Sequence, residues 1–232
     1  MLNPDSFAAG PDVDVPVGLP VSLDDVYRAR ELIARYLVPT PTISHPVLGE
    51  MLGCTPHVKL ENTHSIGSFK IRGGLFLLAN MSASDRLRGL VTATRGNHGQ
   101  SIARAAQVHG VSCTIYVPHG NNPDKNAAMR ALGAEVIEQG HDFDAAWAAA
   151  EEFSEETGAR SVHPAKEPDL IAGVATAAME MLEQVPDGLD AIFVPVGGGS
   201  IAAGTALVVK SLSPQTRVYG VQAENAPAMH HA

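Results

Sequence analysis

Lys70 stands in the run Ser68-Phe69-Lys70-Ile71-Arg72-Gly73-Gly74, at what reads as the start of a helix with Ser68 as its N-cap. The first turn of a helix is the positive end of its dipole. It disfavours an ammonium by about 0.3 to 1 kcal/mol, a penalty that a solvated lysine avoids by lying one turn later. The same field, joined to partial burial, favours the neutral amine, which is the form that condenses with an aldehyde or accepts a proton. Taken alone, the residue reads more readily as a merely solvated lysine, so the rest of the chain has to decide.

Two other segments suit the same chemistry. Residues 89–100 read Gly-Leu-Val-Thr-Ala-Thr-Arg-Gly-Asn-His-Gly-Gln, an apolar strand that breaks into a glycine-flanked polar turn before a helix. Residues 191–204 read Ala-Ile-Phe-Val-Pro-Val-Gly-Gly-Gly-Ser-Ile-Ala-Ala-Gly, again strand, glycine turn and helix. Such a junction presents unhindered backbone N–H groups and the helix dipole to a phosphate. Residues 197–200 are therefore a phosphate-cradle candidate, with a tight strand–helix connection as the alternative. They match neither the P-loop, since no Lys-Ser/Thr follows, nor the dinucleotide pattern, whose G-x-G-x-x-G spacing is absent.

In chain order, Ser-Phe-Lys70-Ile-Arg-Gly, Arg-Gly-Asn97-His-Gly-Gln and Pro-Val-Gly-Gly-Gly-Ser-Ile-Ala-Ala-Gly resemble the three signatures of the fold-type II pyridoxal-phosphate enzymes. Within that group the likeness is to threonine/serine dehydratases and serine racemase, and it runs from about residue 20 to the chain end. The resemblance implies a pyridoxal 5'-phosphate cofactor, with Lys70 joined to it as an imine and later removing the substrate α-proton. Phe69 would flank the ring, Asn97 would bond the ring hydroxyl, and Gly197, Gly198, Gly199, Ser200 and Ile201 would surround the phosphate. Thr94, Arg95, Gly96 and His98 are expected at the substrate, the amides of the 94–98 turn receiving its carboxylate. His98 either orients that carboxylate or only packs.

The activity implied is dehydration and deamination of a small β-hydroxy amino acid, L-threonine or L-serine. Racemisation or β-replacement on the same scaffold, or a remnant that binds without turnover, are the alternatives. Arg95 stands where serine racemase has the hydroxyl residue that serves as its second acid/base, and an arginine cannot shuttle that proton. It pairs either with an anionic group of the substrate or with an acidic residue of the other domain. Gln222 and Ala228 replace the carboxylates that hold a divalent cation in serine racemase, so no metal site is expected. A glycine of the family's Gly-x-Gly-Thr pattern is Ala175. The sequence ends at Ala232, before the family's residue that bonds the pyridine nitrogen, so the chain is expected to be incomplete.

The elements that must position these residues alternate. A helix from Ser22 to about Leu37, with Ser22 and Asp25 as a capping-box variant, precedes a strand near 57–62 and the Lys70 helix. From residue 89 the pattern is strand 89–94, helix 98–109, strand 111–117, helix 123–132, strand 134–138, helix 142–157, strand 160–163, helix 168–185, strand 191–196, helix 200–212 and strand 217–223. Gly110, Gly133 and Gly158 supply stops. Apolar strands alternating with helices argue for an α/β fold of parallel sheets with helices on both faces. The resemblance implies two open parallel-sheet domains of tryptophan synthase beta type, truncated at the C-terminus: a tail over 1–20, the large domain over 21–84 and 166–232, and a small inserted domain over 85–165. The cofactor would lie in the cleft at the strands' carboxyl ends.

The 232 residues are 45% hydrophobic and 18% charged, the composition of a soluble globular protein. Sixteen basic residues against twenty-five acidic ones give a net charge of −9, which argues against nucleic acid or an anionic membrane as partner. Cys54 and Cys113 lack ligand spacing and read as buried free thiols, the histidines are scattered, and Trp147 reads as core. With no export signal or apolar span, a cytoplasmic protein is expected, and a homodimer.

Overall fold

The computed structural model describes residues 20–227 and 229–231. The tail expected over 1–20 and position Ala228 therefore lie outside the described residues, Pro20 excepted. Helix α1 (Leu23–Ile33) opens with the reciprocal cap read from the sequence: Asp25 N donates to Ser22 Oγ at 3.3 Å and Ser22 N donates to Asp25 Oδ2 at 2.8 Å. It ends before Leu37, because Tyr36 and Leu37 both donate to Ile33 O in a tight turn. Pro39 and Pro41, which cannot continue a helix, follow at once.

Strand β1 (Thr42–Ile43), helix α2 (Pro46–Leu52) and strand β2 (Val58–Lys59) come next, with β1 and β2 paired antiparallel. The expected strand over 57–62 shrinks to β2 because Glu61–Thr63 turns as a 3-10 helix. Helix α3 (Lys70–Asn80) is buried over Ile71–Leu78, and α4 (Ala83–Arg88) follows, capped by Ser82. Neither α2 nor α4 buries a residue, so no apolar stripe announced them.

Strands β3 (Leu90–Ala93), β4 (Cys113–Val117), β5 (Glu135–Glu138) and β6 (Arg160–Ser161) form one parallel sheet in the order β5-β4-β3-β6. Its crossovers are α5 (Asn97–His109), α6 (Pro123–Ala131) and α7 (Phe143–Thr157). Alternation divides the strand residues between two faces. Leu90, Cys113, Ile115 and Val117 pack with Ile102 of α5 and Met129 of α6, whereas Val91, Ala93 and Tyr116 pack with Ala146, Ala149 and Ala150 of α7. Trp147 sits half-buried beside the second group, its ring edge-on to His163 at 4.8 Å. Gly110 and Gly158 end α5 and α7 in the left-handed region, at φ 65° and 73°.

Helix α8 (Pro168–Gln184), strand β7 (Ala191–Pro195), helix α9 (Ser200–Leu212) and strand β8 (Arg217–Val221) complete the chain order, with β7 and β8 parallel. Backbones of the helical layer touch through glycines. A β-carbon at Gly173 of α8 would lie 2.6 Å from Gly73 Cα of α3, and one at Gly74 would lie 2.8 Å from Ser101 O of α5. Ala175 belongs to α8, where its Cα comes within 3.0 Å of a β-carbon placed on Gly204. The largest apolar cluster is continuous from Ile71, Leu75 and Leu78 of α3 through α5 into β3 and β4.

One sequence reading needs correction here: Cys113 is buried in β4, its thiol pushed up to about 12 by burial, but Cys54 is exposed. Gly53, at φ 69°, turns the chain out of α2 and leaves Cys54 on a groove of about 1030 Å³ between that loop and β7. Phe193 on β7 stacks on Tyr219 of β8, with ring centroids 5.1 Å apart, and remains 62% exposed. Among the described residues no helix is long and apolar enough to cross a membrane.

Candidate active site

Lys70 is the first residue of α3, and the cap differs from the reading above. Phe69 is already helical at φ −55°, ψ −21° and occupies the N-cap position, while Ser68 accepts from Lys70 N at 3.3 Å from within the preceding turn. The Lys70 side chain runs through the interior to α9, where Nζ donates to Ser200 Oγ at 2.9 Å. No carboxylate among the described residues forms an ion pair with it. Burial lowers its pKa to about 8, so near neutral pH a usable fraction of the amine is unprotonated. The Phe69 ring lies 5.6 Å from Nζ and packs with Val174, Ala177 and Ile201.

The glycine turn between β7 and α9 meets Lys70 through Ser200. Among the described residues, the backbone N–H groups of Gly197, Gly198, Gly199, Ser200 and Ile201 have no hydrogen-bond partner. Five orphan donors at one helix start require an acceptor from water or a ligand. Gly199, at φ 87°, takes a conformation that a side chain would strain. Among the described residues, a β-carbon at Gly197 would meet nothing within 4 Å and one at Gly198 only Ala165 Cβ at 3.3 Å, so the turn has open space beside it.

The turn from β3 into α5 is held from inside by Thr94. Its buried hydroxyl accepts from Gly96 N at 2.9 Å and Gly99 N at 3.3 Å, while Thr94 N donates to Tyr116 O. The amides of residues 94 and 96 are thus spent, which narrows the expected carboxylate site to those of Arg95, Asn97 and His98; these make no hydrogen bond among the described residues. The Asn97 and Arg95 side chains are exposed, and neither forms a hydrogen bond or an ion pair there. Ser101, one turn on, donates to Lys70 O and ties α5 to the lysine helix.

His98 is buried, with Nε2 3.0 Å from Thr92 Oγ1. That hydroxyl donates its proton to Val162 O at 2.7 Å, so it accepts from Nε2–H and leaves Nδ1 as a bare, unpartnered acceptor. Burial first, and then the charge of Lys70, push its pKa down to about 3, so the imidazole is neutral. Its side chain is a packed element of the turn, whereas its N–H belongs to the open set.

Two features of this site escaped the sequence. Lys125, in the first turn of α6, lies against Gly96: a β-carbon there would be 2.6 Å from its Cδ and 2.8 Å from its Nζ. Nothing local in Asn122-Pro123-Asp124-Lys125 signals that contact. The second is the network behind α3. Arg72, fully buried, donates to Glu61 and Glu180 from both sides, at 2.6 to 2.8 Å, and Lys59 Nζ reaches Glu180 at 2.8 Å. An arginine inside an apolar helix was the available signal.

A model of the pyridoxal-phosphate dependent enzymes matches residues 33–232. The chain belongs to this family. It is similar to the L-threonine ammonia-lyase of Thermotoga maritima, at 40% identity over 90% of this chain and 52% of that protein. It is 36% identical to the L-threo-3-hydroxyaspartate ammonia-lyase of Saccharomyces cerevisiae, over 86% of this chain and 61% of that one. Among solved structures, the serine racemase of Dictyostelium discoideum superposes with a TM-score of 0.85 at 32% identity, covering 92% of this chain and 69% of that one. The chain spans about half the length of the curated threonine ammonia-lyases it matches.

The residues present fit the family's cofactor. The orphan amides at 197–201 suit a phosphate, the space above Gly197 and Gly198 admits one, and a buried amine lies one hydrogen bond from the same turn. Glycine supplies the steric part of this fit: an alanine at Gly199 would strain the backbone. As for a cation, Gln222 Nε2 donates to Val196 O at 3.3 Å, and among the described residues no three His, Cys, Asp or Glu side chains converge.

Proposed function

We propose that this chain carries the catalytic lysine, phosphate cradle and substrate turn of an ammonia-lyase that converts a small β-hydroxy amino acid, such as L-threonine or L-serine, into a 2-oxo acid and ammonia. The observation that carries the proposal is the Lys70 amine, buried, unpaired with any carboxylate among the described residues and 2.9 Å from the hydroxyl that heads the orphan-amide turn. Pyridoxal phosphate, when bound, supplies a conjugated ring that withdraws electrons from the substrate α-carbon. Gly197, Gly198, Gly199, Ser200 and Ile201 hold its phosphate through backbone N–H groups, and Asn97 bonds the ring hydroxyl.

Lys70 would anchor the cofactor covalently and is the group placed to remove the substrate α-proton; a pKa near 8 suits an amine that must both release and take a proton at neutral pH. Ser200 Oγ fixes the direction from which Nζ approaches. The N–H groups of Arg95, Asn97 and His98 receive the α-carboxylate, which orients the α-proton toward Lys70. The β-hydroxyl departs with a proton as water, and addition of one water as ammonia leaves gives the 2-oxo acid.

The name of the Thermotoga relative supports the lyase reading. The structural likeness to a serine racemase keeps a second outcome in view, and Arg95 weighs against it. A permanently charged guanidinium cannot take up a proton on the face opposite Lys70. Inversion needs such a group and elimination does not. On the same reading the protein is a cytoplasmic homodimer, and residues 85–165 form a small inserted domain. Ammonia, 2-oxo acid and D-serine are to be measured after incubating the loaded protein with L-threonine and with L-serine. Stoichiometric ammonia and 2-oxo acid are expected, and D-serine formed faster than 2-oxo acid would overturn the assignment.

A further inference from the structure

We infer that Arg95 and Lys125 form a second anion subsite beside the carboxylate-binding turn, and that the protein's preferred substrate is a β-hydroxy amino acid whose side chain also bears a carboxylate. The inference rests on the ammonia-lyase reading for the reaction but not for the binding.

Arg95 stands exposed in the 94–98 turn, and Lys125 lies against the same turn. Arg95 is the turn's second residue, and Lys125 Nζ comes from α6 to within 2.8 Å of where a β-carbon on Gly96 would be. Glycine at 96 lets the lysine stem lie flat on the backbone, which fixes the ammonium beside the turn. Neither cation has a hydrogen bond or an ion pair among the described residues. The other arginines between residues 70 and 165 are engaged: Arg72 with two glutamates, Arg160 with Glu167, Arg88 with Asp85 and Gly158 O, Arg86 with the carbonyls at the end of α3, Arg104 with Gln107 and Arg130 with Val136 O.

Asp142 is the acidic group near enough for Arg95 to help lower its pKa, behind the hydrogen bond from Ala145 N that is the leading cause. That carboxylate caps α7 through Ala145 N at 2.9 Å and lies beyond ion-pair distance of Arg95. In a protein of net charge −9, two free cations flanking three orphan amides make a local site for two negative charges. The amides suit the α-carboxylate. The guanidinium offers a second carboxylate a planar, bidentate pair, and the ammonium adds a point charge to it. The turn faces the lysine, since His98, three residues beyond Arg95, feels the charge of Lys70 and Ser101 bonds its carbonyl. A four-carbon hydroxy diacid would therefore span from the amides to the two side chains.

The test uses the cofactor-loaded full-length protein and reads binding apart from turnover. Calorimetry compares L-malate, which has both carboxylates and no amine to react, with L-lactate, which lacks the second carboxylate. Turnover compares L-threo-3-hydroxyaspartate with L-threonine. The parent should bind malate at least about tenfold more tightly than lactate, as a charge-assisted contact of this kind implies. Arg95→Gln and Lys125→Gln should each reduce that ratio several-fold and the double variant abolish it, with the ratio of kcat/KM for hydroxyaspartate over threonine falling in step.

A parent that turns over threonine but binds malate no better than lactate overturns the subsite and leaves the lyase standing. A parent inert toward all amino acids that still prefers malate, with the preference lost in the double variant, supports the subsite and overturns the lyase. A malate preference unchanged in the double variant refutes the role of both residues. Arg95→Lys, which keeps the charge but not the planar fork, should retain part of the preference; full retention would reduce the site to a point charge.

Discussion

Gly198→Asp separates a phosphate cradle from a mere connection more sharply than any other change in the molecule. Position 198 has no positive φ, and a β-carbon there meets only Ala165 Cβ, at 3.3 Å, so the side chain fits with a shift of a few tenths of an ångström. The folding cost should stay within about 1 kcal/mol, the scale of a mildly overpacked exposed position. The charge is another matter. A carboxylate about 5 Å from a doubly charged phosphate repels it by roughly 2 kcal/mol in a fully aqueous dielectric and by about 6 to 7 kcal/mol at the effective value for partly buried sites.

Cofactor affinity should therefore fall by at least about thirtyfold. Gly198→Asn has nearly the same shape without the charge and sets the steric baseline. Pyridoxal-phosphate dissociation constants for parent, Asn and Asp proteins would come from equilibrium dialysis read by absorbance, with thermal melts of the unloaded proteins as the folding control. If the Asp variant binds the cofactor as tightly as the Asn variant, no phosphate sits against these amides.

Lys70→Met should remove borohydride-stable attachment of the cofactor, read by mass spectrometry of the reduced peptide, and a retained adduct would move the anchor to another lysine. The same variant has a pH signature. The folded pKa of about 8 lies below the ordinary lysine value of 10.5, so between these limits the unfolded chain binds the proton that the folded one lacks, and parent stability rises with pH. Below about pH 8 the full cost of burying the ammonium applies, about 3 kcal/mol. The unloaded Met variant should accordingly be more stable than the parent at pH 7, with the difference vanishing by about pH 10.5; a pH-independent difference would show that burial does not depress this amine. Arg72→Met strands Glu61 and Glu180 and should destabilise the protein by about 3 to 5 kcal/mol in urea unfolding, whereas adding Glu61→Gln and Glu180→Gln should recover a substantial part. No recovery would mean that the guanidinium acts by packing alone.

The alternation of strand and helix from residue 89 onward was legible because short strands such as Leu90–Ala93 and Cys113–Val117 are buried runs and the helices after them end at glycines such as Gly110 and Gly158, so period and punctuation agree. The Ser22 cap was legible because its partner is three residues away. Features that failed to show depend on distant partners or on surface. Helices α2 and α4 bury nothing and so carry no periodic mark. Cys54 reads as apolar in sequence but follows a left-handed glycine that turns it outward. At the site, Ser68, Lys70 and the two glycine turns could be seen as local patterns, although Phe69 took the cap position from Ser68. That Thr94 consumes the amides of Gly96 and Gly99, or that Lys125 lies on Gly96, is fixed by side-chain geometry across elements, which spacing does not encode.

The glycines of the helical layer connect that packing to the chemistry. Lys70 lies on α3, its hydroxyl partner on α9 and the substrate turn on α5, so the site exists only if these helices stand at fixed, short distances. Gly73 against Gly173 brings α3 onto α8, Gly204 against Ala175 brings α8 onto α9, and Gly74 against Ser101 brings α3 onto α5, each at backbone contact. A β-carbon at any of these positions would push its helix outward by about an ångström, against a core packed too densely to absorb the shift. Such a displacement would pull Lys70 Nζ away from Ser200 Oγ, where it now sits at 2.9 Å. The glycines that read as parts of sequence signatures thus do two different jobs. Those at 197–199 leave room for a ligand, and those at 73, 74, 173 and 204 remove the room between helices, so that an amine on one can reach the cradle on another.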